Sequence, residues 1–556
     1  MGRWVSYYRD LPPTDLVENR ILLDAFAVIA QGAARNGHER LFQSAVDLLI
    51  DVFVAYDFSH PEGISLDACL PLAQFLVPNV FALQPTYLAS LRPSSLPPSA
   101  GPSPHGDTDT AKGICMVFVE MALSYLPLLL SPEPYQQEAL LRLLLLVTSH
   151  PEPSVSEYAL PFWYELAKAG GRRAGDGGSP GVGERYASIL QELLRALVER
   201  MVYPPEAGEG GREGGGWDEE EKEEFDDFRY KLGDAVKDVS SLLGPSPCLH
   251  ALAHLLHATL STPTPSLPPS HPPSWRQTEA CLWALRSLAP SLPLPPSLPS
   301  SAPLDTDTTT ALTVVPQLLS LLLSQASPSS PSALSLPPLL RVTIHHVVGR
   351  LAPFLPPHPP SSTTDLLPFA YPLLLADLGS PAASASAARA LQEVLLACGR
   401  VTGPDSLPPL TLFGQIYTAS LAGQLSFGNE TLVVEGILEG VVARMGGEGG
   451  GEGGREGGRE EVVQRMVGMV GEHLGDVVRK EQQERRREGG GEGGGKRQLM
   501  VEQDLERLTT IVRVSEPRLS GEEGGREGGR EGGRDVACGG GRAEPFARLT
   551  GHLRRV

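Results

Sequence analysis

Between residues 224 and 244 apolar side chains return at every third or fourth position: Phe225, Phe228, Leu232, Val236, Val239 and Leu243. That spacing places them on one face of a helix. The opposite face carries Asp227, Arg229, Lys231, Asp234, Lys237 and Asp238. Gly233 weakens such a helix by ~1 kcal/mol relative to alanine and marks a place for a bend. The same period predicts helices over 16–31, 38–55, 64–83, 111–130, 134–149, 153–169, 182–202, 222–243 and 247–260. It continues over 274–289, 308–324, 338–354, 365–378, 382–398, 429–445, 459–481, 496–514 and 544–554. Strand alternation is hard to find. Ser274 and Gln277 form a capping box at the start of one helix, and Pro290 ends it.

Two kinds of filler separate these helices. Pro/Ser-rich stretches occupy 92–105, 261–274, 290–303, 325–338 and 356–363; Gly/Glu/Arg-rich stretches occupy 207–216, 446–459, 488–495 and 521–534. Neither composition buries enough apolar area to offset its ordering entropy, which predicts disordered loops. With the fillers set aside, the helices pair at intervals of ~40 residues, as HEAT-type hairpins do. A single amphipathic hairpin leaves its apolar face uncovered, and stacking covers it. The expected fold is all-α: an α-solenoid of HEAT-like helical hairpins with long loops, roughly nine repeats in all. The expected domains are a solenoid over 1–445, a linker over 446–459 and further helical repeats over 460–556.

Composition narrows the function classes. Hydrophobic residues make up 41% of the 556-residue chain, and the 60 Gly and 52 Pro belong to the separators. A net charge of −20 argues against a nucleic-acid surface and favours basic partners. Eight acids stand against one lysine between Asp218 and Asp227. No apolar run approaches the length of a membrane span; 139–147 is short and contains Arg142. The amino terminus lacks a signal-peptide pattern, and Gly2 with Ser6 fits only the loose myristoylation template. Cys69, Cys115, Cys248, Cys281, Cys398 and Cys538 lie far apart without a C-x-x-C pair, which fits buried free thiols in a reducing compartment.

Candidate chemistry is sparse. Cys248, His250, His254 and His257 place three histidines on one helical face with zinc-like spacing. Leu249, Leu252, Leu255 and Leu256 compete to define the buried face there, so partly buried helix histidines are the plainer reading. His345 and His346 point to different sides of their helix and are weaker metal candidates. Phosphate-loop, nucleophile-elbow and dinucleotide motifs are missing from the sequence. The acids at 218–227 form a dense run of the kind that is solvated, whereas general acid catalysis needs a desolvated site. The arginines of 524–534 are followed by glutamates that cancel their charge, which makes a solvated spacer rather than an RNA-binding tract. These readings point to a binding protein with no cofactor rather than to an enzyme.

Four segments, in order, resemble the importin-β superfamily of nuclear transport receptors, in its transportin-SR and importin-thirteen branch. The first, 155–167, does so through Val155, Glu157, Phe162, Trp163, Tyr164 and Leu166, with Pro161 interrupting the helix. The second, 226–244, matches through Phe228, Arg229, Asp234, Val236, Lys237, Asp238, Val239 and Gly244. The third matches through Pro273, Trp275, Thr278, Glu279 and Ala280, and the fourth through Arg341, Thr343 and Gly349. The likeness runs with gaps from about Trp4 to Leu508 and covers a middle portion of the family's length. It implies a receptor that carries protein cargo, including Arg/Ser-rich or basic proteins, shuttling between cytoplasm and nucleus under control of the GTPase Ran. It also implies contacts with Phe-Gly nucleoporins, and neither direct nucleic-acid binding nor membrane insertion. Under the resemblance Glu223, Asp226, Asp227, Arg229, Asp234, Lys237 and Asp238 lie on or near the concave, partner-binding side. Without it, the charged residues of this helix form i,i+3 or i,i+4 pairs that only support the helix. A HEAT-repeat scaffold or adaptor subunit without transport activity is the alternative function.

Overall fold

The computed structural model describes residues 13–401, with interruptions at 19, 34–38, 58–65, 92–106, 132–135, 172–180, 205–218, 262–274, 296–303, 327–335, 357–364 and 381. It also describes 428–430, 432–437 and 468. The chain divides into two units, Met1–Ser515 and Glu516–Val556, and every described residue lies in the first.

The helices are α1 (Pro13–Glu18), α2 (Ile21–Gln31), α3 (Glu39–Ala55), α4 (Leu66–Phe81), α5 (Gln84–Ser90) and α6 (Thr108–Ser124). There follow α7 (Leu126–Leu130), α8 (Gln137–Thr148), α9 (Pro153–Ser156), α10 (Leu160–Gly171), α11 (Val182–Arg185), α12 (Ala187–Arg200) and α13 (Glu219–Leu243). The last are α14 (Pro245–Ser261), α15 (Trp275–Leu288), α16 (Thr306–Ala326), α17 (Pro338–Arg350), α18 (Leu367–Leu378) and α19 (Ser384–Val401). No strand occurs among the described residues.

Packing sorts the helices into two rows. In one, α3, α6, α10, α13, α15, α17 and α19 each touch the next. In the other, α8, α12, α14, α16 and α18 do the same. Members of the two rows pair as hairpins, as α12 with α13, α14 with α15 and α18 with α19, and α2 packs on α3 in the same way. The apolar stripe of each helix is thereby buried against both its hairpin partner and its neighbours in the row. The chain folds as an α-solenoid, as its periodicity implies.

Local chemistry fixes where the hairpins turn. Gly244, at φ +87°, leaves α13 through the left-handed region, and its N–H donates to the Ser240 carbonyl at 2.9 Å. Pro245 then starts α14 one residue later, at a position where its missing N–H costs nothing. Asp107 caps α6 by accepting from Thr110 N–H at 3.1 Å, and Thr110 Oγ1 in turn accepts from Ala33 N–H at 2.7 Å, which ties α6 to the end of α2. The proposed capping residue Ser274 lies outside the described residues.

Several expectations change. The helix over 16–31 divides into α1 and α2, and 111–130 into α6 and α7. A 3-10 turn at Glu157–Ala159 precedes α10, so Pro161 sits in a first turn rather than within a helix. The short α5 was not legible; Pro85 in its first turn and the spacing of Leu83 and Tyr87, both buried, are its signal. Leu292, assigned to a filler, is buried beyond the 3-10 turn Ala289–Ser291. The helix α16, 21 residues long, is long and apolar enough by length and composition to cross a membrane, contrary to the sequence reading. Ala311, Val315, Leu318, Leu319, Leu322 and Leu323 on it are buried within the array, which accounts for its hydropathy. The remaining fillers coincide largely with interruptions, and the 446–459 linker and the repeats over 460–556 lie outside the described residues except for Gly468.

Candidate partner-binding surface

The apolar stripe of α13 is buried at Phe225, Phe228, Leu232, Ala235, Val236 and Val239. Opposite it, Glu223, Asp227, Asp234 and Lys237 are exposed, and Asp226 and Asp238 are half-buried. Lys237 pairs with Asp234 at 2.7 Å, three residues back on the same helix. Lys231 pairs with Glu157, so that the α13 polar face reaches the turn before α10. Burial pushes the Asp238 carboxyl up to about 6; the nearby Asp234 charge adds to the rise and Lys237 opposes it.

Arg229 departs from the expectation. It is fully buried (0% exposed) and offers no surface to a partner. Its guanidinium lies between two aromatic faces, 4.2 Å from the Tyr203 ring centre and 4.1 Å from that of Trp283. Nη2 donates to Glu279 Oε2 at 2.6 Å, and Glu279 Oε1 accepts from Thr343 Oγ1 at 2.8 Å. Trp283 Nε1 donates to the Arg229 carbonyl at 3.4 Å, and Tyr203 donates to Asp226 at 2.9 Å. The physical reason is a second packed face. Arg229, Gly233, Val236 and Ser240 also follow helical spacing, and this stripe meets α15. The small residues Gly233 and Ser240 were the readable sign of it; the aromatic partners come from other segments.

Gly233 makes no bend, and α13 runs unbroken through it. A Cβ there would stand 2.6 Å from Ser287 Oγ, so α15 approaches closely enough that any larger residue must displace that hydroxyl from the Trp283 carbonyl. Three residues that carried the resemblance (Arg229, Glu279 and Thr343) thus form one buried polar chain across α13, α15 and α17. A fourth, Arg341, anchors a second buried polar cluster on the next helices. Arg341 holds Asp377 in a bidentate pair along one guanidinium edge, Nε donating to Oδ2 at 3.2 Å and Nη2 to Oδ1, and Asp377 Oδ2 lies 2.8 Å from His345 Nε2. His345 Nδ1 lies 2.9 Å from Ser386 Oγ, whose hydroxyl donates to the Ala383 carbonyl at 2.8 Å. Both His345 and Asp377 are buried. Arg341, Asp377, His345 and Ser386 thereby satisfy one another within the array, which is what buried polar groups require.

The zinc candidates do not converge. His250, His254 and His257 are exposed, a correction to their expected partial burial, while Cys248 points into the core. No group of three or more His, Cys, Asp or Glu suited to a metal occurs among the described residues. Cys115, Cys248 and Cys281 are free and buried. Burial pushes the Cys248 and Cys281 thiols up to about 12, away from nucleophilic or ligating thiolate.

Residues 106–200, which comprise α6 to α12, match the family model of the Transportin-3/Importin-13 second TPR domain. The importin-β likeness read from the sequence holds. That model names as TPR what the periodicity suggests as HEAT; both are stacked helical pairs. Importin-13 of Homo sapiens is 24% identical over 385 residues, 68% of this chain and 34% of that protein. Transportin MOS14 of Arabidopsis thaliana is 27% identical over 261 residues, 44% of this chain and 24% of that protein. The yeast mRNA transport regulator MTR10 (Saccharomyces cerevisiae) is 24% identical over 195 residues, 34% of this chain and 17% of that protein. Among solved structures, importin-13 in its cytosolic state superposes with a TM-score of 0.58 at 15% identity, covering 88% of this chain and 49% of that one. A Kap95p structure concerned with binding RanGDP gives 0.50 at 12% identity, covering 96% and 50%. The chain spans about a third of the length of the importin-13 relatives it matches.

Proposed function

We propose that this chain serves in nuclear transport, as part of an importin-β-type receptor that carries protein cargo through the pore by binding and release. The observation that carries the reading is the match of residues 106–200 to a transportin-3/importin-13 domain, falling on contiguous members of the stacked array. Cargo binds on the row that contains α13, and Ran-GTP discharges it through coupled changes along the stack. Glu223, Asp226, Asp227, Asp234, Lys237 and Asp238 are the proposed partner contacts, suited to basic or Arg/Ser-rich cargo. Arg229 is removed from that set by its burial. The protein then shuttles between cytoplasm and nucleus.

Phe-Gly binding separates this reading from a scaffold. Passage through the pore requires several weak apolar contacts, whose multivalency raises avidity while each remains fast to release. The folded chain is expected to be retained on immobilised Phe-Gly repeats, to elute with 1,6-hexanediol and to change little with moderate salt. Retention should vanish when the repeat phenylalanines become serine. Flow-through of the folded chain, on a column that holds a known receptor, would transfer the assignment to a scaffold.

A further inference from the structure

Two buried polar clusters set the register of the row. Thr343 on α17 meets Glu279 on α15, and Ser386 on α19 meets His345 on α17. Seven positions on from Glu279 and from Thr343, two turns further along the same helical faces, stand Arg286 and Arg350. Three positions on from Ser386 stands Arg389. Three successive helices of one row therefore bring an arginine to about the same level.

The surroundings confirm that they share one electrostatic site. Arg350 and Arg389 are exposed and Arg286 is half-buried, with its guanidinium 4.8 Å from the Trp283 ring centre. His346, one turn before Arg350 on the same face of α17, is held down to about 4 by burial first and then by the charges of Arg286, His345, Arg389 and Arg350. Its Nδ1 is buried without a hydrogen-bond partner, the condition of a neutral imidazole hemmed in by cations. Glu393 is the carboxylate beside this group; a Cβ on Gly349 would stand 2.6 Å from its Oε2. Burial raises the Glu393 carboxyl, and the three arginines oppose the rise. Among the described residues, no ion pair or hydrogen bond closes any of the three guanidinium groups, in a chain whose net charge is −20. Three cations share the single Glu393 carboxylate, which leaves a local excess of positive charge open to an anionic partner.

We propose that Arg286, Arg350 and Arg389 form a docking surface for an acidic peptide segment of a partner protein, held through its Asp and Glu carboxylates. Neighbouring packed helices stand ~8–10 Å apart, so the three guanidinium groups span on the order of 20 Å. That length matches roughly six residues of extended peptide at ~3.3 Å each. Guanidinium forks suit carboxylates because two N–H groups meet two oxygens. A nucleic acid is disfavoured because three cations neutralise only a few phosphates, whereas they match the few carboxylates of a short acidic peptide. The surface differs in position and sign from the acidic face of α13 and stands whether or not the chain acts in transport.

The test uses the full chain and a fluorescein-labelled peptide of Glu, Asp and Ser, read by anisotropy at low and moderate salt. Binding is expected, and should weaken with salt. Arg350→Glu with Arg389→Glu should weaken it about tenfold or more, since two attractions become repulsions. Both residues are exposed, so the circular dichroism melt of that variant should match the wild type. Glu393→Gln, which removes the competing carboxylate, should tighten binding a few-fold. Failure of the wild type to bind, or equal binding by the double arginine variant, would overturn the proposal.

Discussion

Replacing Arg229 by methionine tests the central tie of the array. The side chain is 0% exposed, its partner Glu279 is 1% exposed, and Thr343 supplies the remaining hydrogen bond to that carboxylate. Methionine keeps most of the volume between the Tyr203 and Trp283 rings but strands the Glu279 charge. Removing one member of a buried pair costs about 3–5 kcal/mol, chiefly through the charge left behind. The two cation–π contacts are lost as well, but the methionine sulfur packs against the same two rings and offsets most of that loss. A total near 4 kcal/mol is expected for Arg229→Met. Adding Glu279→Met removes the stranded charge and should restore most of it, leaving about 1 kcal/mol for the unpaired Thr343 hydroxyl. Urea unfolding followed by tryptophan fluorescence reads the change beside Trp283, and amide exchange locates it. Exchange should quicken over 219–243 and 275–288 and stay unchanged over 108–148, because each repeat leans only on its neighbours. A cost below about 1 kcal/mol for Arg229→Met, or a double variant no better than the single, would refute the argument.

Two further substitutions probe α13. The Asp238 carboxyl sits at about 6 in the folded chain against an ordinary value near 3.8, so the native state keeps a proton that the unfolded chain has lost. Stability therefore falls as pH rises from about 3.8 to 6 and is level above that. Asp238→Asn should remove this slope and stabilise the chain at pH 7 by about 1 kcal/mol after discounting for solvent, with no gain near pH 3.5; melting temperatures across that range check it, and a gain that persists in acid would contradict it. For Gly233→Ala, a helix-propensity gain of ~1 kcal/mol competes with a Cβ placed 2.6 Å from Ser287 Oγ. The substitution should destabilise wild type but stabilise an Ser287→Ala background, where that oxygen is gone; the same sign in both would show that the close approach of α15 does not govern the position.

The period of apolar residues was enough to specify helices, their rough boundaries and their stacking, because one-sided amphipathic helices can be covered only by neighbours of the same kind. Phe225, Phe228, Leu232, Val236 and Val239 were legible for that reason, and the buried thiols Cys115, Cys248 and Cys281 from the wide spacing of the cysteines. The short α5 was hidden because seven residues hold too little period to read. Arg229 was misplaced because an arginine on the edge of an apolar stripe faces water unless something distant covers it. Here Tyr203, Trp283, Glu279 and Thr343 do so from three other segments. The likeness to importin-β receptors could be read from short matches in order, yet the matches alone did not say that Arg229, Glu279 and Thr343 meet. Sequence periodicity reports what a helix must hide from water, which is a local property. Which charges are neutralised, and which arginines are left without partners, depends on side chains brought together from helices far apart in the chain, and only the tertiary structure decides that.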